Sequence, residues 1–391
     1  MNFKIQVLNN ISAAGLAELP DDLYAVSPDA GEPDAILVRS APMHDMPIAA
    51  SVKAVARAGA GTNNIPVEEM SKRGVPVFNA PGANANAVKE LVLTGMLLAA
   101  RRLPAALAFI DGLDPQDPDL ARRIEDGKKA FAGYELANRT LGVIGLGKVG
   151  CLVANAALGM GMKVIGYDPN ITVDAAWALS HDVHKANAIA EVLAQCDFVS
   201  LHVPLLDATR GLINQAAFEQ MKPQAVLLNF ARAGVVDEAA ALAALQSRQL
   251  AQYVCDFPSA RTLRQPGMIT LPHLGASTGE AEDNCARMVA RQLRAFLEHG
   301  NIHNAVNFPA VDMPRESKYR LAIANANVPN MVGQISTQMA AASLNIHNMI
   351  NKSRDEVAYT LLDVDSPVRR EVIEALCAIK GVLSVRYLPG H

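Results

Sequence analysis

The sequence predicts an α/β protein with two doubly wound, Rossmann-like domains and a C-terminal βαββαβ unit. Short apolar runs typical of buried strands alternate with Ala- and Leu-rich helical segments up to residue 300. A glycine-rich turn between an apolar strand and a helix begins at Gly145. After residue 318 the pattern changes to strand, helix, strand, turn, strand, helix, strand, which is typical of a small antiparallel unit. The 391 residues exceed what one core usually holds, so two or three domains are expected.

Composition and charge argue against several classes of protein. Apolar residues make up 50% of the chain and charged residues 19%, as in a well-packed globular enzyme. The net charge is −4 with no long run of Lys or Arg, so we expect no nucleic-acid partner, and no metal site is predicted. The five scattered cysteines fit reduced thiols in the cytoplasm. The N-terminus lacks a signal-peptide pattern, and the longest apolar stretch is too short to span a membrane.

The first α/β unit precedes the glycine-rich turn. A long helix, AVKELVLTGMLLAARRL (87–103), follows its strands, and the polar segment from Asp111 to Lys129 is interpreted as a connector. The strand candidates are KIQVLN (4–9), AILVRS (35–40), AVARAG (54–59) and PVFNAP (76–81).

The second α/β unit begins at Thr140. Its five alternations of strand and helix predict a doubly wound sheet. A long helix (279–300) follows, and the segment 304–317, which holds two prolines, is interpreted as a linker. The later strand candidates are KVIGYD (163–168), FVSLHVP (198–204), AVLLNFA (225–231), QYVCDF (252–257) and MITLPH (268–273).

The turn VIGLGKVG carries a dinucleotide-binding pattern. Gly145 allows a tight turn, Gly147 lets a pyrophosphate approach the backbone at the helix N-terminus, and Gly150 lets the helix pack on the strand. The next strand ends at Asp168, placed to accept hydrogen bonds from the adenosine ribose. An acidic residue there would repel a 2′-phosphate, so NAD is the predicted cofactor rather than NADP. A glycine-rich turn beside an unrelated surface Asp is the alternative interpretation.

Three strand ends of the second unit carry candidate functional residues: Arg232, Asp256 and His273. Oxidation of a 2-hydroxy acid needs a fixed cation for the carboxylate and a base for the hydroxyl proton. Arg232 and His273 supply these two groups. A lone arginine is more often a surface ion-pair partner and a lone histidine more often structural, but both follow strands of a dinucleotide-binding sheet.

Four motifs, in this order, resemble those of the D-isomer-specific 2-hydroxyacid dehydrogenases: TLGVIGLGKVG, LHVPLLDATRGLIN, LLNFARAGVVDE and LPHLGAST. LVRSAP, ARAGAGTNNIPVEEMSKRGVPVFNAPG and the C-terminal unit narrow the resemblance to members that carry a C-terminal ACT domain and act on 3-phosphoglycerate. The resemblance covers essentially the whole chain. It implies NAD-dependent oxidation of 3-phospho-D-glycerate to 3-phosphohydroxypyruvate, the first step of L-serine biosynthesis.

The resemblance also implies a discontinuous substrate-binding domain into which the NAD-binding domain is inserted, with the active site in the cleft between them. The implied bounds are 1–92 and 281–308 for the substrate-binding domain, 93–280 for the NAD-binding domain, 309–317 for a linker and 318–391 for the ACT domain.

The roles of the family's functional residues are carried over by motif. Arg232 would bind the substrate carboxylate, and His273 would be the acid/base. The positions implied for the substrate phosphate are Arg39, Ser40, Arg57, Lys128 and Lys129, the two lysines across a dimer interface. The positions implied for the cofactor are Ala80, Gly145, Gly147, Lys148, Val149, Gly150, Asp168, Val203, Phe230, Ala231, Arg232, Asp256, His273, Gly275 and Ala276. Asn325, Asn327 and Asn345 match positions at which ACT domains bind an amino acid such as L-serine.

The chain departs from the family pattern beside His273. The family has a Glu that pairs with the histidine, whereas this chain has Arg261 near that position. Three explanations stay open: another carboxylate such as Glu90 or Glu280 approaches the ring, Asp256 orients it in part, or the histidine works unpaired.

Alternative functions also stay open. The chain could be a dehydrogenase for another 2-hydroxy acid, such as glycolate (which gives glyoxylate) or 2-hydroxyglutarate. It could be a non-catalytic regulator that senses NAD and an amino acid, since the family Glu is missing. The ACT domain could be a structural dimerisation module without an effector. By resemblance we expect a homodimer or a homotetramer.

Overall fold

The structure, a computed structural model, describes residues 2–390. The strands are β1 (Phe3–Leu8), β2 (Tyr24–Ser27), β3 (Ala35–Val38), β4 (Ala54–Arg57), β5 (Val77–Phe78), β6 (Thr140–Ile144), β7 (Lys163–Tyr167), β8 (His184–Lys185), β9 (Phe198–Leu201), β10 (Ala225–Asn229), β11 (Leu250–Cys255), β12 (Met268–Thr270), β13 (Tyr319–Ala326), β14 (Ile346–Arg354), β15 (Val357–Val364) and β16 (Val382–Pro389). The α-helices are α1 (Ala13–Leu16), α2 (Val67–Lys72), α3 (Ala85–Ala100), α4 (Leu103–Asp111), α5 (Leu120–Gly127), α6 (Lys148–Gly159), α7 (Val173–Ala178), α8 (Ile189–Gln195), α9 (Gln215–Gln220), α10 (Glu238–Gln246), α11 (Gly279–His299), α12 (Met331–Ala341) and α13 (Arg370–Cys377).

The unit from Ala85 to Thr278 is built on a seven-stranded parallel sheet of order β12-β11-β10-β9-β6-β7-β8. Along β10, Val226 and Leu228 belong to one apolar cluster and Leu227 to another, so the sheet is covered on both faces. The strand order reverses at β6, which has β9 on one side and β7 on the other. Ligands bind at such a reversal point, beyond the carboxyl ends of the strands.

The other unit, up to Asn84 and from Gly279 onward, begins with a five-stranded parallel sheet of order β2-β1-β3-β4-β5. The helix α11 returns to this sheet because its apolar face completes the core. Leu293 and Phe296 of α11 share one buried cluster with Leu37 of β3 and Phe78 of β5.

The C-terminal strands of the same unit form an antiparallel sheet of order β14-β15-β13-β16. With α12 and α13 they follow the predicted βαββαβ order, so the fold class is confirmed. One face of this sheet packs on α12 and α13. Residues of the opposite face, including Ala322, Tyr359 and Leu361, share the buried cluster that holds Phe296 of α11.

Local differences from the prediction have physical reasons. The sequence did not predict β2, which is a four-residue edge strand with one buried residue, Tyr24. The predicted connector 111–129 contains α5, a helix with no buried residue. The predicted helix 87–103 ends earlier because Arg102 adopts a left-handed conformation (φ 52°) ahead of α4. The predicted linker is packed, since Val311 is fully buried and forms an antiparallel β-bridge with Ile302.

The boundary of the two units lies between Asn84 and Ala85, at the start of α3. The boundary implied by the resemblance, 92/93, falls inside α3, and the return at 281 falls inside α11. A helix rarely divides between two compact units, so the structure places both crossings at helix N-termini instead.

Among the described residues, no single helix is both long and apolar enough to cross a membrane. The pair α3 and α4, bent by 70°, meets the length and composition criteria only when the two are taken together.

Candidate active site

The glycine-rich turn joins β6 to α6, and each of its glycines meets a different steric demand. Gly145 has φ +95°, and a Cβ there would lie 2.8 Å from the His202 backbone. A Cβ on Gly150 would lie 2.0 Å from the carbonyl oxygen of Gly145. A Cβ on Gly147 would meet nothing within 4 Å. The protein therefore needs Gly145 and Gly150 for its own packing, whereas Gly147 leaves open space at the N-terminus of α6, as a pyrophosphate requires.

Asp168 lies beside this turn, directly after β7. Its Oδ2 accepts a hydrogen bond from the Leu146 N–H at 2.8 Å, and its Oδ1 accepts one from the Asn170 N–H at 2.9 Å. The carboxylate is half-buried. The two bonds fix it next to the glycine-rich turn, where a ribose hydroxyl could donate to a remaining lone pair.

The other predicted cofactor positions of this unit surround the same turn. Lys148 is exposed and Val149 half-buried in the first turn of α6, and Val203 packs on Gly145. A second histidine nearby, His202, is hydrogen-bonded to Ser200 Oγ at 2.8 Å. Burial lowers the pKa of His202 to about 4, so it is neutral near pH 7 and its place is structural.

Arg232 follows β10 in an exposed loop, after the buried Phe230 and Ala231. Sequence reasoning missed the residue that holds this loop, Asn229, which is fully buried at the end of β10. Its Nδ2 donates to the Arg232 carbonyl oxygen at 3.0 Å, and its Oδ1 accepts from the Ala231 N–H at 3.2 Å. A polar residue ending the apolar run AVLLN was the available signal, because a buried amide requires partners.

His273 follows β12 and is exposed. Its backbone has φ 57°, a conformation that non-glycine residues adopt rarely and often at functional sites. The Phe257 ring packs edge-on against the imidazole, with centroids 5.0 Å apart. Within its own unit, no described carboxylate is hydrogen-bonded to the imidazole.

Asp256 orients the backbone after His273 rather than the ring. Its side chain is 1% exposed, and it accepts hydrogen bonds from the Leu274 N–H at 2.7 Å and the Gly275 N–H at 2.8 Å. Gly275 is therefore buried against this carboxylate, and Ala276 follows it on the surface. Asp256 thus fixes the loop that carries the imidazole.

Two of the other residues named beside His273, Glu90 and Arg261, have different neighbours. Glu90 accepts a hydrogen bond from Asn86 at 2.8 Å and lies 3.7 Å from the Lys89 ammonium. Arg261, near the position of the family Glu, is exposed. Its loop is held by Ser259, whose hydroxyl donates to Glu238 at 3.0 Å.

In the other unit, Arg39, Ser40 and Arg57 come together after β3 and β4. Arg57 Nε donates to the Arg39 carbonyl oxygen at 2.9 Å, which fixes the backbone of that loop. Arg39 Nη2 donates to Glu282 of α11 at 2.6 Å. Sequence reasoning missed Glu282, because Arg39 and Glu282 are 243 residues apart.

The remaining predicted residues of this substrate and cofactor set are dispersed. Ala80 is fully buried after β5, and its N–H donates to the Gly59 carbonyl oxygen at 2.9 Å. Lys128 and Lys129 are exposed and lie in the unit that contains the glycine-rich turn. There they pair with Glu125 and Asp126 of the adjacent helix turn.

The structure does not bring the three predicted effector residues together. Asn325 lies opposite Ala358 at one end of β15, and Asn327 follows nearby. Asn345 precedes Ile346, which lies opposite Val364 at the other end of β15. Asn325 is 1% exposed, and its Oδ1 has no hydrogen-bond partner among the described residues. Within one chain these asparagines cannot share a ligand.

No group of three or more His, Cys, Asp or Glu side chains among residues 2–390 is arranged to hold a metal ion.

Comparison with known proteins agrees with this geometry. Residues 97–275 match the family D-isomer specific 2-hydroxyacid dehydrogenase, NAD binding domain. The fold and the site thus define an NAD-binding dehydrogenase domain, and residues 97–275 belong to the D-isomer specific 2-hydroxyacid dehydrogenase family. Within that family the chain is similar to D-3-phosphoglycerate dehydrogenases. The match ends before the C-terminal sheet, whose likeness to ACT domains stays a prediction.

Three similar proteins illustrate the relationship. The D-3-phosphoglycerate dehydrogenase of Methanocaldococcus jannaschii is 35% identical over 297 residues, which cover 74% of this chain and 54% of the relative. That of Homo sapiens is 36% identical over 272 residues, covering 67% of this chain and 48% of the relative. The solved NAD⁺-bound 3-phosphoglycerate dehydrogenase of Entamoeba histolytica superposes with a TM-score of 0.61 at 25% identity, over 78% of this chain and 99% of that one. The chain spans about half the length of the curated relatives it matches.

Proposed function

We propose that this protein catalyses the NAD-dependent oxidation of 3-phospho-D-glycerate to 3-phosphohydroxypyruvate, the first step of L-serine biosynthesis. One observation carries the proposal. Arg232, Asp256 and His273 follow three neighbouring strands, β10, β11 and β12, of the parallel sheet that also carries the glycine-rich turn. Because the carboxyl ends of parallel strands meet at one edge of a sheet, cation, base and cofactor turn share that edge.

The proposed mechanism assigns one task to each residue. Arg232 binds the substrate carboxylate through two hydrogen bonds and draws electron density from the C2 oxygen as it becomes a carbonyl. His273 accepts the proton of the C2 hydroxyl. The glycine-rich turn and Asp168 would hold NAD, which would supply the acceptor for the hydride that leaves C2. Asp256 keeps the His273 loop in place through the Leu274 and Gly275 N–H groups.

We assign substrate binding to the unit that carries Arg39, Ser40 and Arg57. A phosphate group carries nearly two negative charges near pH 7 and has three acceptor oxygens, so it requires cations and hydroxyl donors. Arg39 and Ser40 supply one of each at the end of β3, and Arg57 holds their loop. We assign Lys128 and Lys129 to the same phosphate from a second copy of the chain.

The test is a spectrophotometric NADH assay with 3-phospho-D-glycerate, glycolate and D-2-hydroxyglutarate as parallel substrates. The proposal expects 3-phospho-D-glycerate to give the highest kcat/KM. A higher value with an unphosphorylated acid would favour the other dehydrogenase function. Absence of turnover with every acid, despite NAD binding, would favour a non-catalytic sensor.

Replacing Arg39 tests the phosphate assignment directly. Arg39→Ala removes one charge-assisted hydrogen bond and should raise the KM for 3-phospho-D-glycerate about 10- to 100-fold. The KM for glycolate should change much less, because glycolate has no second anionic group for Arg39 to bind. Equal effects on the two acids would remove the argument for a phosphorylated substrate.

We further propose a cytoplasmic homodimer or homotetramer with an amino-acid effector, L-serine, at Asn325, Asn327 and Asn345. The opposite placement of these asparagines along β15 supports a site shared by two chains rather than one within a chain. Adding L-serine to the NADH assay, with mass measurement by light scattering, tests both points. Unchanged rates at millimolar L-serine would favour a purely structural C-terminal sheet.

A further inference from the structure

The ion pair between Arg39 and Glu282 is exchangeable. Arg39 Nη2 and Glu282 Oε1 are 2.6 Å apart, and the two side chains are 39% and 40% exposed. A pair this open to water contributes little to stability, because solvent screens both charges. The structure offers a contrast in Arg320 and Asp363, which are fully buried and form two hydrogen bonds to each other. An incoming anion could therefore displace Glu282 from Arg39 at low cost.

A buried thiol shows that these charges converge on one place. Cys285 lies one turn after Glu282 on α11 and is 4% exposed. Burial raises the pKa of the Cys285 thiol, while Arg39 and Arg57 lower it and Glu282 raises it. The Cys285 thiol therefore lies within electrostatic reach of both guanidinium groups and of the Glu282 carboxylate. An anion that reaches Arg39 meets the field of Glu282 there.

We propose that Glu282 is a built-in competitor for Arg39: its carboxylate occupies the guanidinium until the phosphate of the substrate, or another anion, displaces it. The inference rests on the proposed function only for the identity of that anion. Because Glu282 is part of the protein, it weakens the binding of every anion that pairs with Arg39 by the same factor. It therefore sets affinity and leaves the ratio between competing anions unchanged.

This competition has a distinct kinetic signature. Breaking the ion pair accompanies anion binding and is complete before the chemical step, so it affects ground state and transition state equally. Removing the competitor should lower KM and leave kcat unchanged. A residue that instead positioned Arg39 for the substrate would have the opposite effect, since its loss would raise KM.

The experiment compares Glu282→Gln with Asp283→Asn. Both changes remove one negative charge from the same turn of α11, but Asp283 accepts its hydrogen bond from Ser12 and not from Arg39. Calorimetric titration of the enzyme–NADH complex with 3-phospho-D-glycerate, and separately with inorganic phosphate, measures binding without turnover. Steady-state assays measure KM and kcat, and thermal unfolding verifies that each variant is folded.

Glu282→Gln should lower the Kd of both anions and the KM by the same factor, about two- to fivefold, with kcat unchanged. Asp283→Asn should leave these values as they are. In an Arg39→Ala background, Glu282→Gln should have a smaller effect, because only the repulsion between the Glu282 carboxylate and the anion then remains to be removed.

A rise in KM with Glu282→Gln, or an equal effect of that change with and without Arg39, would overturn the inference. The proposed function can fail separately. Suppose that the protein fails to oxidise 3-phospho-D-glycerate while Glu282→Gln still lowers the Kd of inorganic phosphate when Arg39 is present. That result would support the role of Glu282 as a competitor and would reject only the substrate assignment. If Glu282→Gln does not tighten phosphate, the competitor is rejected whatever the substrate.

Discussion

At the scale of single residues, one carboxylate fixes the loop of the proposed base. Asp256 is nearly inaccessible to water, and both of its oxygens accept backbone N–H groups from the residues after His273. In many acid/base sites a carboxylate contacts the imidazole itself. Here the carboxylate acts on the backbone one and two residues further on. The orientation of His273 is therefore tied to the loop conformation, which includes its left-handed backbone.

Replacing Asp256 should impair both activity and stability. Asp256→Ala leaves two backbone N–H groups without an acceptor, and we expect a loss of about 1–3 kcal/mol in the free energy of unfolding. Because the loop then moves, kcat/KM should fall about 10- to 100-fold. Urea denaturation and the NADH assay measure the two effects.

Asp237→Ala is the matched control. Asp237 also accepts two backbone N–H groups, from Ala239 at 2.9 Å and Ala240 at 3.1 Å, but as the N-cap of α10. Its loss should cost about 1 kcal/mol of stability with kcat/KM nearly unchanged. If both variants lose activity alike, the effect of Asp256 on the active-site loop is refuted.

Sequence patterns identified residues by type and spacing but not their contacts. The glycines of the turn, Asp168, Arg232 and His273 were found because each lies shortly after the end of an apolar strand. The neighbours of Arg39 were not found, since no local pattern links it to Glu282 across 243 residues. The orientation of the Asp256 carboxylate was equally inaccessible, because both ring and backbone donors were chemically reasonable partners.

At the scale of elements, the β6–α6 turn separates packing from ligand binding. Gly150 makes a close contact within the protein, whereas Gly147 faces open space. The sequence predicted both glycines from one motif. The structure assigns them different tasks because it shows what a side chain at each position would meet.

Two alanine variants distinguish these tasks. Gly150→Ala places a methyl group 2.0 Å from the Gly145 carbonyl oxygen, so α6 must shift. The free energy of unfolding of the cofactor-free protein should therefore fall by about 1–3 kcal/mol. Gly147→Ala should leave that stability within about 0.5 kcal/mol. It should still weaken NAD binding about tenfold or more, because the methyl group fills the space for the pyrophosphate.

Calorimetry in the absence of NAD and fluorescence titration with NADH measure the two quantities. If Gly147→Ala binds NADH as tightly as the unchanged protein does, the placement of the pyrophosphate at this turn is contradicted.

At the scale of the whole molecule, the C-terminal sheet completes the unit that contains the first sheet. The last carbonyl groups of α11 are capped from it. Arg386 donates to Phe296 and Leu297, Arg320 donates to His299, and the Tyr359 hydroxyl donates to Gly300 at 2.7 Å. Cations at a helix C-terminus stabilise it. The sequence predicted a separate domain after a linker, because strand and helix patterns do not reveal which surfaces pack together.

The Arg320–Asp363 pair anchors this arrangement. Both side chains are fully buried, at distances of 2.7 and 2.9 Å. Burial alone would raise the pKa of Asp363, but hydrogen bonds from Arg320 and from the Glu316 backbone outweigh it and hold this pKa below its ordinary value.

Arg320→Leu should therefore destabilise the protein by about 3–5 kcal/mol, since it leaves Asp363 charged and unpaired. The double variant with Asp363→Leu should recover part of that loss. The exposed pair Arg370–Glu374 in the same C-terminal segment is the control, and Arg370→Leu should change stability by less than about 0.5 kcal/mol. Guanidinium denaturation measures all three, and equal losses for Arg320→Leu and Arg370→Leu would contradict the anchoring role.

The division of the chain also determines the order in which the two units can be completed during synthesis. Ala85 to Thr278 is one continuous stretch, so it can fold as soon as it has left the ribosome. All five strands of the first sheet are translated before it, yet α11 and the strands that cap α11 come afterwards. The strands of that sheet therefore stay partly uncovered until α11 and the strands that cap it have been translated. A nascent chain that stalls before β16 would contain a finished cofactor domain and an unfinished amino-terminal sheet, which makes that sheet the part most dependent on chaperones.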